Sequence, residues 1–181
     1  MNFLDLVNSR QSVRRYADRP VEREKIELCL EAARLAPSTS NSQPWKFIVV
    51  DEPGLKSTVA AETVAPFRAF NTFTNQVPVL VAVMIDRANL EVRTGKVLRR
   101  FDYSLIDIGI ATEHFCLQAA ELGLGTCILG WFDERAMKKL LHVPRNRRIY
   151  LMIALGYPQS DQVRPKQRKA LDQIRSYNRY E

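Results

Sequence analysis

Three polar side chains alternate along a short N-terminal segment, at Arg10, Ser12 and Arg14. Alternate side chains of an extended chain point to one side, so this spacing predicts two guanidinium groups and a hydroxyl facing together. A guanidinium group donates hydrogen bonds in a planar fork that matches carboxylate and phosphate oxygens. The segment therefore indicates a site for a small anion, although by composition alone a solvated surface explains the same residues.

A second polar run covers residues 36–45, which read Ala-Pro-Ser-Thr-Ser-Asn-Ser-Gln-Pro-Trp. It follows a predicted helix that Pro37 must end, because proline cannot continue the helical hydrogen-bond ladder. A strand is predicted directly after it. A loop with so many short donors and acceptors suits the edge of a ring that carries carbonyl and N–H groups.

The usual motifs of nucleotide binding and acid–base catalysis are absent from the sequence. Gly123 and Gly125 are followed by Ile128, where a dinucleotide-binding motif needs a third glycine. His114 and His142 are more typical of structural histidines than of proton carriers. An enzyme this poor in acid–base candidates takes its reactivity from a cofactor. We therefore expect no catalytic side chain and no metal site.

Length and composition favour one globular domain over residues 1–181. The chain is 46% hydrophobic and 26% charged, which is typical of a globular protein. It has no apolar run of the roughly 18–20 residues that cross a bilayer. The first residues lack a basic lead-in, so no signal peptide is predicted and a cytoplasmic location is expected. The cysteines Cys29, Cys116 and Cys127 are flanked by apolar residues and are expected in the core.

The net charge of +7 admits binding to nucleic acid or another polyanion. The basic residues are scattered, however, with clusters at 10–19, 145–148 and 164–168. Two of these clusters lie near the chain's ends and could converge on one small anion instead. We expect no nucleic-acid or membrane partner.

Hydrophobic periodicity predicts an α+β fold in which helices pack on a mixed or antiparallel sheet. The strands at 79–85 and 149–155 are apolar on both faces and are therefore central. Residues 65–76 are expected to be irregular and residues 87–102 to form a surface excursion. The other predicted strands cover 45–50 and 126–129, and the predicted helices cover 2–9, 22–35, 53–63, 103–122 and 133–141.

Two features predict a partner subunit. The helix at 103–122 is apolar nearly all round, and in a domain of this size such a helix needs a second subunit to cover one face. The tail from residue 159 is polar and basic and has no core pattern. We expect it to lie on another surface.

Four motifs in series resemble the FMN-dependent nitroreductase family. They are the Arg-x-Ser-x-Arg segment at 10–14, Pro-Ser-x-x-Asn-x-Gln-Pro-Trp at 37–45, Gly-x-Gly-Thr-Cys-x-Leu-Gly at 123–130, and a basic tail with Lys166 and Arg168. Their order and spacing agree over almost the whole chain. The resemblance implies an intertwined homodimer that exchanges C-terminal arms of about 159–181 and binds two tightly held FMN molecules at its interface.

The same resemblance implies where the cofactor lies. Arg10, Ser12, Lys166 and Arg168 would hold the FMN phosphate, and Arg14 would lie near flavin N1 and O2. A fixed cation there favours the anionic reduced flavin and so raises its reduction potential. The implied cofactor-binding residues are Arg10, Gln11, Ser12, Arg14, Pro37, Ser38, Thr39, Asn41, Gln43, Asn71, Leu129, Gly130, Lys166 and Arg168.

These residues fall into three further groups by their implied role. Pro37, Ser38, Thr39 and Asn41 would come from the other subunit, with Gln43 close behind. Leu129 and Gly130 would run beside the N5 edge of the flavin, where a backbone N–H contacts N5 or O4. Asn71 is the candidate for the pyrimidine edge. Aromatic side chains that could wall the substrate pocket are Phe67, Phe70, Phe73, Trp131 and Phe132.

The implied activity is hydride transfer from NAD(P)H through flavin N5 to a small conjugated acceptor, such as a nitroaromatic or a quinone, in a ping-pong cycle. Two alternatives stay open from the sequence. The same fold could serve reductive dehalogenation, flavin fragmentation, or dehydrogenation of an enoate or a peptide-derived ring. A basic module that binds polyanions without catalysis rests on net charge alone.

Overall fold

A four-stranded sheet forms the centre of the molecule, in a computed structural model that describes residues 2–64, 70–86 and 101–180. Its strands are β1 (Trp45–Val50), β2 (Val79–Ile85), β3 (Gly125–Leu129) and β4 (Arg148–Gly156), in the order β1-β2-β4-β3. Each neighbouring pair is antiparallel. The predicted central position of β2 and β4 is confirmed.

Five α-helices flank this sheet within the described ranges. They are α1 (Phe3–Ser9), α2 (Arg23–Arg34), α3 (Pro53–Ala61), α4 (Ser104–Glu121) and α5 (Glu134–Leu140). Side chains cap three of them, as the carboxylate of Asp133 does by accepting a hydrogen bond from the backbone N–H of Ala136 at 2.9 Å. The predicted helices are confirmed to within one or two residues at each end. One difference is a 3₁₀-helix over Thr72–Gln76, in a segment expected to be irregular.

Alternate residues of β2 face two separate core layers. Val79, Val81 and Val83 pack with α2 and α4 on one face of the sheet, where Phe115 is fully buried. Leu80, Ala82 and Met84 pack with α3 and α5 on the other. This two-sided burial explains why the sequence of β2 is apolar throughout. Phe67 lies outside the described residues. So does the predicted excursion at 87–102, except for its last two residues, because the description resumes at Phe101.

The three cysteines are free and buried, as predicted. Burial raises the pKa of the Cys29 thiol to about 12 and that of the Cys116 thiol to about 11. Thiols with such pKa values stay protonated at neutral pH and behave as small apolar side chains. No helix within the described ranges is long and apolar enough to span a bilayer.

The apolar face of α4 is only partly covered by its own chain. Leu105 and Ile106 are each about half exposed. The tail beyond residue 159 packs little of its own surface, and residues 171–180 are exposed throughout. Both features agree with the expectation of a second subunit, which remains a prediction.

Tyr16 joins the N-terminal segment to the sheet. Its hydroxyl donates to the carbonyl of Val13 at 2.9 Å and lies 3.4 Å from the carbonyl of Ala154, and its ring is 5% exposed. Burial raises the pKa of this phenol well above its ordinary value.

We expect Tyr16→Phe to lower the free energy of unfolding by about 1 kcal/mol, because it removes the hydrogen bond that the buried hydroxyl makes and keeps the ring. Urea denaturation followed by circular dichroism measures this change. Tyr180→Phe, at a fully exposed ring, is the control and should leave the midpoint unchanged. Equal midpoints for the two variants would contradict the assigned contact.

Candidate functional site

Residues 10–16, which we call the arginine segment, lie beside the edge strand β3. Ser12 forms a parallel bridge with Thr126, and the Val13 N–H donates to the Thr126 carbonyl at 2.8 Å. Gly125 permits this approach, because a Cβ atom there would lie 2.6 Å from a methyl carbon of Val13. Since the arginine segment and β3 run in the same direction, Arg14 lies toward the C-terminal end of β3, which Gly130 follows.

The C-terminal tail returns along the arginine segment. The Gln159 N–H donates to the Arg15 carbonyl at 3.0 Å. Farther along the tail, the Arg164 guanidinium donates to the Ser12 carbonyl at 2.6 Å, and the Lys166 ammonium donates to the Arg10 carbonyl. Residues from opposite ends of the chain therefore meet, as the positions of the basic clusters suggested.

A cleft of about 330 Å³ opens between the arginine segment and the tail. It brings together the four residues predicted to hold the phosphate, together with Gln11 and Arg14. Arg164 was not among the predicted site residues, although it begins the basic cluster at 164–168 noted in the sequence. The lining residues are Arg10, Gln11, Ser12, Arg14, Arg164, Pro165, Lys166, Gln167 and Arg168.

Positive charge in this cleft is only partly neutralised by the protein. Arg10 pairs with Glu113 on α4 at 3.3 Å. In the described part of the chain no carboxylate forms an ion pair with Arg14, Arg164 or Lys166. The pKa of Lys166 is lowered, first because of partial burial and then because of the neighbouring Arg10 and Arg168. The crowding of cations around a cavity fits an anionic group with several acceptor oxygens.

The loop at residues 37–43 is positioned by α4. Asp107 on that helix accepts hydrogen bonds from the Thr39 N–H at 3.0 Å and the Thr39 hydroxyl at 3.1 Å. The Ser38 hydroxyl accepts from the Gln43 N–H at 2.9 Å. Left-handed backbone angles at three polar residues turn the chain sharply, with φ of 49° at Ser40, 50° at Asn41 and 45° at Gln43.

In the single chain this loop does not line the basic cleft. Pro37 and Gln43 are exposed, and the Gln43 amide donates to Asn41 Oδ1 at 3.0 Å. The expected contribution of Pro37, Ser38, Thr39, Asn41 and Gln43 to a site on a partner subunit therefore stays a prediction.

Asp107, which holds the loop at 37–43, is a residue that sequence reasoning missed. It lies on a helix that reads as apolar, and its side chain is 1% exposed. Oδ1 receives both Thr39 bonds, whereas Oδ2 has no hydrogen-bond partner among the residues described. A lone acid within an apolar helix is the sequence signal that could have found it, because a buried carboxylate needs partners.

We expect Asp107→Ala to lower the free energy of unfolding by about 1–3 kcal/mol, because the buried Thr39 donors lose their acceptor. FMN retention should fall in parallel if the loop contributes to the site. Denaturant titration and flavin content of the purified variant measure the two effects. Asp107→Asn preserves an acceptor oxygen and should retain most of the stability and most of the bound FMN. An asparagine variant as impaired as the alanine variant would contradict the assigned role.

At the other end of β3, Asn71 links two backbone segments. Its left-handed backbone, with φ of 63°, is tolerated by asparagine. Its amide nitrogen donates to the carbonyls of Thr63 and Trp131, each at 3.1 Å. Both amide hydrogens are therefore in use and the carbonyl oxygen is left as the acceptor. Asn71 is thereby held next to Trp131, the residue that follows Gly130. Its expected contact with the flavin stays a prediction.

Leu129 and Gly130, the two predicted site residues at the end of β3, differ in exposure. Leu129 is buried in the core, whereas Gly130 is exposed and has open space where a Cβ atom would stand. A planar ligand could therefore approach the backbone at Gly130.

Of the aromatic candidates, two pack into the core. Phe73 stacks on Tyr16 with ring centroids 6.3 Å apart, and Phe132 packs against the same cluster. Phe70 and Trp131 are exposed, Trp131 by 61%. Of the four aromatic candidates that the structure describes, Phe70 and Trp131 are therefore the more exposed pair.

The two histidines have no group of potential metal ligands around them within the described ranges. His114 lies 3.3 Å from the Ala32 carbonyl through Nδ1, which is a structural contact. Among the described residues, no group of histidine, cysteine and acidic side chains could hold a metal ion.

Residues 7–157 match the nitroreductase family. The chain belongs to the nitroreductase family. An Archaeoglobus fulgidus protein with the provisional name NADH dehydrogenase/NAD(P)H nitroreductase is 34% identical over 164 residues, covering 87% of this chain and 86% of the relative. The sequence similarity to this relative therefore extends over most of both chains.

Two further comparisons concern a relative with a different printed activity and a solved structure. An iodotyrosine deiodinase of Thermotoga neapolitana is 27% identical over 182 residues, covering 90% of each chain. The solved structure of an FMN-dependent nitroreductase from Clostridium difficile R20291 superimposes with a TM-score of 0.80 at 24% identity, covering 98% of this chain and 100% of the other. The α+β fold expected from the sequence is confirmed.

Proposed function

We propose that this chain is an FMN-dependent oxidoreductase that transfers hydride from NAD(P)H, through flavin N5, to a small conjugated acceptor such as a nitroaromatic or a quinone. The observation that carries the proposal is the basic cleft, in which Arg10, Ser12 and Arg14 meet Lys166 and Arg168. Among the described residues, the cleft has more cationic side chains than carboxylates that pair with them, as an anion-binding site requires.

The residues present fit a phosphate-bearing flavin. Arg10, Lys166 and Arg168 supply charge-assisted donors for a phosphate, and Ser12 adds a hydroxyl. The parallel course of the arginine segment along β3 leads from this phosphate end to Gly130 and Asn71. A phosphate and a flat ring at opposite ends of one elongated site match FMN in outline.

FMN, when bound, supplies a ring that accepts hydride at N5 and passes it to a second molecule. The protein binds and orients this ring. Arg14 would place a cation near the N1 and O2 edge, where negative charge develops on reduction. Asn71 offers an acceptor oxygen for a ring N–H, and Gly130 leaves room for a backbone contact. No side chain needs to act as general acid or base.

The proposal includes a homodimer in which the tail beyond the cleft, at residues 171–180, packs on the partner subunit. The half-exposed Leu105 and Ile106 on α4 and the exposed Leu171 and Ile174 in the tail support it, because apolar side chains gain from burial against a second subunit. In such a dimer the loop at 37–43 would complete the partner's site. A cytoplasmic location is proposed from the use of NAD(P)H and the three unpaired thiols.

Anaerobic spectroscopy tests the proposed function. The purified protein should be yellow, should be bleached by NADH or NADPH added separately, and should recover its colour when a quinone or a nitroaromatic is added. Equal turnover with both nicotinamides is compatible with the proposal. A colourless protein that does not bind added FMN would overturn it.

Reductive deiodination is a second candidate, favoured by the relative named iodotyrosine deiodinase. In that reaction an aryl carbon–iodine bond breaks, a hydrogen replaces the iodine, iodide leaves, and NAD(P)H supplies the two electrons. Anaerobic incubation of the holoenzyme with NAD(P)H and 3-iodotyrosine separates the candidates. Stoichiometric release of iodide and tyrosine would favour deiodination, and intact iodotyrosine with rapid quinone reduction would exclude it.

A further inference from the structure

The Gln11 side chain contacts the tail with both of its polar atoms. Its amide nitrogen donates to the Gln162 carbonyl at 2.9 Å. Its amide oxygen accepts from the backbone N–H of Arg164 at 3.2 Å and from the Arg164 guanidinium Nε at 3.1 Å. The partners lie more than 150 residues away in sequence. One side chain therefore fixes the path of the tail in three hydrogen bonds.

Arg164 completes the same contact from the tail. Besides its bond to Gln11, its guanidinium donates to the Ser12 carbonyl at 2.6 Å. A planar fork that bonds to two fixed acceptors holds the backbone of the tail at this position. Two residues later, Lys166 donates to the Arg10 carbonyl and faces the cleft.

The tail has few apolar contacts that could hold it instead. From residue 159 to 170 each residue is exposed except Lys166, which is half-buried. Chain segments with little buried apolar surface open locally at low cost in free energy. The location of Lys166 and Arg168 therefore depends on polar contacts, most of which pass through Gln11 and Arg164.

We propose that Gln11 and Arg164 are positioning residues that clasp the tail against the arginine segment, so that Lys166 and Arg168 enter the phosphate cleft. The inference deepens the proposed function and rests on it for the identity of the anion. It also revises the expected role of Gln11, whose amide serves the tail rather than the cofactor directly. A loosened tail lowers the fraction of molecules that are competent to bind, and the apparent affinity falls by that fraction.

The release rate of FMN from the holoenzyme tests the proposal. On dilution, free FMN regains its fluorescence, and Gln11→Ala should release FMN about tenfold faster because it removes three hydrogen bonds. The rate of turnover at saturating FMN should fall far less than FMN retention. Gln162→Ala is the matched control, because it removes a neighbouring glutamine side chain and keeps the backbone carbonyl that Gln11 contacts. Equal release from Gln11→Ala and Gln162→Ala would overturn the proposal.

Arg164→Lys separates positioning from charge. Lysine retains the positive charge and loses the fork that bonds to Gln11 and Ser12. A positioning role predicts release as fast as in Arg164→Ala. When Gln11→Ala is added, the combined effect on release should be smaller than the sum of the two single effects, because the two side chains share one contact. Full rescue by lysine would show that Arg164 acts by charge alone. Fully additive effects of the two substitutions would show that Gln11 and Arg164 act separately, and either result would overturn the proposal.

Tail cleavage by trypsin distinguishes failure of this inference from failure of the proposed function. The full-length protein is digested without added FMN, and cleavage after Lys166 and Arg168 is followed by mass spectrometry. Gln11→Ala should be cut several-fold faster than the natural chain or Gln162→Ala, whether or not the protein binds flavin. If the three proteins are cut equally fast while the natural chain retains FMN, the clasp is wrong and the proposed function stands. Faster cutting of Gln11→Ala in a protein that binds no flavin supports the clasp and refutes the proposed function.

Discussion

Replacing both Lys166 and Arg168 by alanine is expected to weaken FMN binding by about 100-fold or more. Each side chain supplies a charge-assisted hydrogen bond worth about 1.5–3 kcal/mol, and 1.4 kcal/mol corresponds to a factor of ten. Both line the cleft that the tail forms with the arginine segment. Flavin fluorescence during titration of the flavin-depleted variant measures the dissociation constant.

The matched control removes the same charge elsewhere in the tail. Lys169 and Arg179 are exposed and lie outside the cleft. Their double replacement by alanine should change FMN affinity less than twofold at physiological ionic strength, because solvent and salt screen distant charges. If the two double variants weaken binding equally, the tail contributes general positive charge and not a phosphate site.

The second large effect concerns the reduction potential. Arg14→Ala should make the flavin midpoint more negative by about 30–60 mV, because a donor to the charged reduced ring is worth roughly 1.5–3 kcal/mol and 30 mV corresponds to 1.4 kcal/mol for a two-electron couple. Arg14 is exposed, and within the described residues no carboxylate pairs with it. Its charge is therefore available to a bound molecule. FMN retention should weaken as well.

Arg15→Ala is the control for this measurement. Arg15 is the next residue of the same extended segment, so its side chain points to the other side. Both substitutions remove one positive charge from almost the same place. The midpoint should shift with Arg14→Ala and stay nearly constant with Arg15→Ala, as measured by equilibration with a reference dye. An unchanged midpoint in Arg14→Ala would refute its assigned role.

The elements that carry a strong local pattern were predictable. β1 and β2 have the predicted bounds, because runs of β-branched and apolar residues favour buried strands. The cleft was predictable in part, since alternate spacing places Arg10, Ser12 and Arg14 on one side of an extended chain. The basic tail cluster suggested that both ends of the chain share one anion.

The individual side-chain contacts between distant segments were not predictable. Gln11 and Asp107 carry no motif, and their roles arise because folding brings them to Arg164 and Thr39 respectively. Phe73 has the same residue type and neighbourhood as Phe70, yet it stacks on Tyr16 whereas Phe70 is exposed. Local sequence cannot distinguish two such rings, because the partner of each is fixed by tertiary packing.

A crystal structure of the protein grown with FMN tests the central claim most directly. We expect the phosphate within hydrogen-bond distance of Arg10, Ser12, Lys166 and Arg168, with the ring extending toward Gly130 and Asn71. A phosphate bound elsewhere, or a tail whose basic side chains face solvent while FMN occupies another surface, would contradict the account.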